Sequence, residues 1–229
     1  MKKTLVALLL VFLCVALFGL TALAADNGVV NNTNAKPMTA HAKNPSKIRT
    51  PAEVHPAGTR TIYSNLGPSG NVYYDADGWL VAGPSSSLGA SQFIGMHFTP
   101  AKNSTITVIK TAVGYDASGA NQVLISLNKD DGSGGVGAVI AKKTFKNLPD
   151  FGTCCKLNTW TLTKPVKVRA GKQYWVVAST PATGTGSDAL DVWAFNIKDF
   201  FEYNVGDAGW TNSLTFTGDP AGGVFGTIP

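Results

Sequence analysis

Residues 151–180, FGTCCKLNTWTLTKPVKVRAGKQYWVVAST, join an adjacent cysteine pair to two strong strand patterns. In the second, Tyr174, Val176 and Ala178 fall on one face and Trp175 and Val177 on the other. Side chains alternate across a strand, so apolar residues at both parities predict a strand covered on both sides. In the first, Trp160, Leu162, Val166 and Val168 predict a strand interrupted at Pro165. Proline cannot donate to a ladder, which places that strand at an edge or a bulge. Ala170-Gly171-Lys172 supplies the turn between them.

Working outward, short β-rich runs alternate with Gly, Pro, Asn and Asp, as in sandwiches and barrels. Upstream strands are expected at residues 60–65, 72–81, 92–99, 104–115, 122–128 and 138–145. The 72–81 run is broken by the turn signal Asp77-Gly78, and Val123, Ile125 and Leu127 share one face of the 122–128 run. Downstream strands are expected at 190–195, 200–205, 213–217 and 224–228. No amphipathic helical period is evident. The fold class expected is an all-β, antiparallel β-sandwich, with a jelly roll as one topology that fits.

The N-terminus has Lys2 and Lys3, an apolar run from Leu5 to Leu20, and Ala22-Leu23-Ala24. This is the pattern of a secretory signal peptide cleaved after Ala24. Cys14 leaves with it. Residues 25–58 contain no aromatic residue and four prolines, a composition that cannot offset its ordering entropy, and are expected to be a disordered tether. His41 and His55 lie in it. Residues 59–229 form the expected domain. There 13 basic side chains face 12 acidic ones. The near balance leaves no footprint for nucleic acid, nor for an anionic membrane once the signal is cleaved.

The order Asn65-Leu66-Gly67-Pro68, Gly78-Trp79-Leu80-Val81, Ser126-Leu127, Ala170-Gly171, Tyr174-Trp175 and Gly209-Trp210 resembles the bacterial secreted domains called choice-of-anchor R, over most of residues 60–228. The resemblance implies an exported, surface-associated β-sandwich, usually joined to a C-terminal sorting segment, which these 229 residues do not show. It brings no catalytic residues.

Cys154 and Cys155 are the only cysteines left after signal removal. Neighbouring Cα atoms lie about 3.8 Å apart, closer than the usual disulfide separation of about 4.4–6.8 Å. A vicinal disulfide, intermolecular disulfides or free thiols are open to them. The vicinal ring needs no partner and is favoured for an exported chain. It would stiffen a loop, present a sulfur face to a ligand or act as a redox switch.

Gly132-Ser133-Gly134-Gly135-Val136-Gly137 fits GxGxxG, but a strand rather than a helix follows it, so it reads as a hairpin loop. Calcium is the candidate cation, with Asp130 and Asp131 in that loop and Asp75 and Asp77 in another as oxygen ligands. Among the tryptophans, Trp175 reads as core. Trp193, flanked by Asp191 and Asn196, and Trp210 are the candidates for a surface site on a polysaccharide or cell-surface glycan, with Tyr73 and Tyr74 next. His97 sits in an expected strand, and no GxSxG elbow exists.

These residues point to a secreted or cell-surface binding or adhesive module without catalysis. The alternative is a structural component that self-associates through edge strands or cysteine crosslinks. A hydrolase using aspartates is a third reading.

Overall fold

The computed structural model describes residues 37–43, 58–67, 73–196, 201–205, 210–213 and 218–229. The expected signal peptide, the remainder of the tether and Gly209 lie outside them. The first strands are β1 (Thr39–His41), β2 (Arg60–Ser64), β3 (Tyr74–Ala82), β4 (Gln92–Phe98) and β5 (Ser104–Thr111). They are followed by β6 (Val113–Ser118), β7 (Gln122–Asp130), β8 (Val136–Lys146), β9 (Asn158–Val168) and β10 (Tyr174–Ser179). The last are β11 (Leu190–Asn196), β12 (Phe201–Val205), β13 (Thr211–Ser213), β14 (Asp219–Pro220) and β15 (Gly222–Thr227).

The strands form two antiparallel sheets. The larger runs β14-β11-β3-β4-β10-β7-β8, with β1 on β3, β6 on β11, and β12 on β4 and β13. The smaller runs β2-β15-β5-β9. The chain passes between sheets at Ala112, where the expected 104–115 run divides into β5 and β6. Its N–H donates to Ala221 O at 3.1 Å.

The alternating apolar residues meet between the sheets. Val123, Ile125 and Leu127 of β7, Val176 and Ala178 of β10, and Ile106 and Ile109 of β5 share one buried cluster with Trp79, Trp160 and Trp193. Trp79, Trp175 and Trp193 are fully buried. An indole of this size brings a transfer contribution of about 4–6 kcal/mol before entropy is counted. Each of the two cluster tryptophans at the β3–β11 pair also satisfies its N–H: Trp79 donates to Gly218 O at 2.6 Å and Trp193 to Ala221 O at 2.8 Å. Asn65, at the end of β2, stitches the sheets by donating to Pro220 O and accepting from Gly222 N.

Several expectations hold in detail. The strand with Pro165 is the edge strand β9, and its register against β5 shifts between Ile106 and Val108. The GxGxxG stretch is the turn of the β7–β8 hairpin, with Asp130 opposite Val136.

Two expectations are corrected. Asp77-Gly78 is not a turn, because β3 runs through it. Gly78 instead allows β11 to approach: a Cβ there would lie 2.7 Å from Trp193 O. The expected tether also contributes a strand. Thr39, Ala40 and His41 pair with Trp79, Gly78 and Asp77. Met38 and Ala40 cover a second apolar cluster of Leu80, Ala82, Leu190 and Val192 on the outer face of the large sheet. Gln92 fixes this strand, accepting from Met38 N at 2.7 Å and donating to Met38 O at 2.8 Å. Burial of the Leu80–Val192 face and this paired amide offset the ordering entropy that composition alone left uncompensated.

Candidate functional site

A concavity that includes the cysteine loop lies where β1, β6 and that loop meet. It has a volume of about 350 Å³ and is lined by His41, Lys43, Tyr115, Asp116, Asp150 and Phe151, among others. That volume falls in the range of small-molecule sites, about 300–1,000 Å³.

Local chemistry sets the loop against β6. Tyr115 N donates to Pro149 O at 2.8 Å and Phe151 N donates to Tyr115 O at 2.9 Å. The backbones come so close that a Cβ at Gly114 would sit 3.0 Å from Phe151 Cα and 3.1 Å from Pro149 O. A side chain there would force the two backbones apart by a few tenths of an ångström. Phe151 packs on the second apolar cluster and is only half-buried, so part of its ring borders the cleft.

A second set of contacts holds the cysteines. Asp75 Oδ2 accepts the Cys154 N–H at 2.9 Å. Tyr73 Oη accepts from Lys156 N at 3.1 Å and lies 3.2 Å from Lys156 O. Thus Tyr73 and Asp75, expected at separate ligand and metal sites, clamp the two ends of the pair. The sulfurs of Cys154 and Cys155 are in direct contact. Burial pushes the Tyr73 phenol up to about 12; the Lys156 N–H opposes this and the Asp75 charge adds to it.

The charged groups of the cleft are unlike one another. His41 Nδ1 contacts the Asp77 carboxylate. Asp116 is half-buried; desolvation raises its carboxyl above the ordinary range, while Lys43 draws it back. One strand over, Asp191 pairs with Tyr115 across β11–β6 and with Val81 across β11–β3. Asp191 is fully buried, and among the described residues neither carboxylate oxygen has a hydrogen-bond partner. Its carboxyl is pushed up to about 8, chiefly by burial and secondarily by the charge of Asp116.

The glycan-site expectation built on Asp191, Trp193 and Asn196 is corrected by these positions. Residues two apart in a strand share a face. Trp193 lies in the core between the sheets, and Asp191 is buried with it. Asn196 donates its amide to Asn65 O, a structural role. Trp210 is half-buried on the other side of the large sheet, where a Cβ at Gly95 would meet it at 3.4 Å and Trp175 at 3.3 Å. Tyr74 is half exposed, and its phenol is raised first by the Asp77 charge. His97 packs beside Trp175, ring centroids 5.3 Å apart.

Of the four aspartates expected to bind calcium, Asp130 and Asp131 serve the β7–β8 turn, while Asp75 and Asp77 lie not in a loop but in strand β3. Asp131 Oδ1 accepts from Ser133 N, Ser133 Oγ and Gly135 N at 2.7–3.0 Å, which holds its carboxyl below the usual range. Asp130 Oδ1 accepts from Gly132 N at 2.7 Å. Asp75 serves Cys154 and Asp77 serves His41, as above. Among the described residues, no group of three or more His, Cys, Asp or Glu converges as metal ligands do.

Sequence reasoning missed His41, Lys43 and Tyr115. The only available signal was the apolar alternation of Met38 and Ala40 ahead of His41, too short to stand out. No family model, no curated protein and no solved structure matches the chain.

Proposed function

We propose that this β-sandwich is a non-catalytic binding or adhesive module, exported to the cell surface or beyond, that takes a glycan in the cleft between β1, β6 and the cysteine loop. The observation that carries the reading is the composition of that cleft. Tyr115 and Phe151 line a volume of about 350 Å³ together with Asp116, Asp150 and Lys43. Sugars need apolar surface for their C–H faces and acceptors and donors for their hydroxyls. In this reading Cys154 and Cys155 are joined as a vicinal disulfide that stiffens the loop carrying Phe151. The leader pattern of residues 1–24 and the choice-of-anchor R resemblance agree with export.

The test is a glycan array with the purified chain, followed by titration of the retained glycans against Asp116→Asn and Lys43→Ala. Each variant is expected to weaken binding about tenfold or more, equivalent to about 1.4 kcal/mol. Retention of no glycan, or undiminished binding by both variants, overturns the reading.

A further inference from the structure

The near balance of charge in residues 59–229 conceals a segregation. Of the 13 basic side chains there, nine fall within residues 129–172, against three carboxylates. The fold concentrates them further. β8 and β9 are the outermost strands of the two sheets at the same margin of the sandwich. Together they carry Lys142, Lys143, Lys146, Lys164 and Lys167 and no carboxylate, and Arg169 follows directly. All six are exposed, and among the described residues none has an ion-pair partner.

The margin is shaped as well as charged. Lys142 of β8 and Lys164 of β9 line a groove of about 290 Å³ between the two strands. Further along β9, Lys167 and Arg169 line a second hollow of about 350 Å³ with Asn103 and Thr105. At about 3.3 Å per residue, Lys164 and Arg169 are on the order of 16 Å apart along the strand. Beside the cations, exposed hydroxyls project from both strands: Thr159, Thr161 and Thr163 of β9, ahead of Lys164, and Thr144 of β8, with Pro165 the exposed residue between Lys164 and Lys167.

We propose that the β8–β9 margin binds a linear anionic polysaccharide, its sulfate or carboxylate groups met by Lys142 and Lys164 in the first groove and by Lys167 and Arg169 in the second. This site is separate from the cleft and does not depend on it. Ammonium and guanidinium groups supply the charge-assisted hydrogen bonds that such anions take. The threonine hydroxyls suit the sugar hydroxyls.

The same features disfavour other polyanions. A single-stranded nucleic acid needs aromatic platforms for its bases. Here Trp160 is buried and Phe145 is half-buried, with the Lys143 ammonium 4.6 Å from its ring centroid. An anionic bilayer favours protruding apolar groups beside the cations; on these two strands Val139 is the exposed large hydrophobic residue. Lysines also blunt sheet edges against pairing with other chains. A row with that role alone would not gather a polymer.

The test uses the purified full chain with heparin as the sulfated probe, polygalacturonate as the carboxylated one and neutral dextran as control. Heparin and polygalacturonate should bind, dextran should not, and binding should weaken as salt rises. The double variant Lys142→Glu/Lys164→Glu should lose at least tenfold in affinity, and Arg60→Glu, off the margin, should bind as the parent does. Lys146→Glu/Lys167→Glu is the second variant, read in place of the first if thermal unfolding shows the first to be misfolded. Absence of binding to both charged polymers overturns the proposal. So does equal binding by the folded double variants, or tighter binding to a single-stranded oligonucleotide or to phosphatidylglycerol vesicles at matched anionic-group concentration.

Discussion

Asp75 Oδ2 accepts the backbone N–H of Cys154 at 2.9 Å, tying the first residue of the cysteine pair to the start of β3. Asp75 is buried, and its removal leaves the N–H of half-buried Cys154 without this acceptor. Asp75→Ala should destabilise the domain by about 1–3 kcal/mol and Asp75→Asn by less, since an amide oxygen still accepts. Urea unfolding of the three proteins measures this, and equal midpoints would show that the bond contributes nothing.

Tyr73 makes the companion clamp at Lys156. Its phenol, raised to about 12, keeps its proton in the fold when the unfolded chain, near 10, has lost it. The contribution is therefore complete below about pH 10 and falls as pH rises towards 12. Ultraviolet titration should show a tyrosine step near pH 12, and Tyr73→Phe should abolish that step at a cost of about 1 kcal/mol.

Asp191 sets a pH dependence in a milder range. Its carboxyl is raised to about 8 in the fold against an ordinary value near 3.9, so the folded form holds a proton that the unfolded chain releases. The stability tied to that proton is complete below about pH 4 and drains away as pH climbs to 8. The full span corresponds to something on the order of 5 kcal/mol. Asp191→Asn should match the parent near pH 4, exceed it near pH 8 and flatten the slope between them. A parallel pair of stability curves would refute this.

Gly114 lies where β6 and the cysteine loop are in close approach. In Gly114→Ala the new methyl, 3.0 Å from Phe151 Cα, forces backbone against backbone. A loss of about 1–3 kcal/mol is expected, with earlier proteolysis in residues 149–156. An unchanged cleavage pattern would show that the loop is not held through this contact.

The N-terminal boundary gives a further prediction. A chain beginning at Thr59 lacks β1, leaving Leu80 and Val192 without Met38 and Ala40 and the Gln92 amide without both of its Met38 partners. It should unfold at lower temperature and bind a hydrophobic dye more strongly than a chain beginning at Lys36.

The strands were legible where both parities or one clear parity were apolar, as in β7 and β10. They were legible also where a single residue carried a rule, as Pro165 does for an edge. What failed had a long-range cause. Asp77-Gly78 is a sound local turn signal, overridden because β11 needs the space that a glycine leaves. Trp193 and Asp191 share a parity, and that much was readable. Which side of the sheet is covered depends on residues distant in sequence, such as Ala221, 28 residues from Trp193, which shares its buried cluster and accepts its indole N–H. His41 joined the site through a register with Asp77 that has no local signature. The basic margin was hidden because a net charge sums over the whole domain, and because the sequence does not show that β8 and β9 border one groove.

β15 lies between β2 and β5, with Val224 opposite both Tyr63 and Ile109. The centre of the small sheet is therefore made long after its flanks. As the polypeptide is synthesised, β2 and β5 must wait for their partner strand until residue 227 has emerged. Closure of the sandwich is a late event set by distant pairing, the regime of slow folding, in milliseconds to seconds. For this domain the interval between synthesis and closure, rather than the finished structure, is when its hydrophobic strands are most exposed to misassociation.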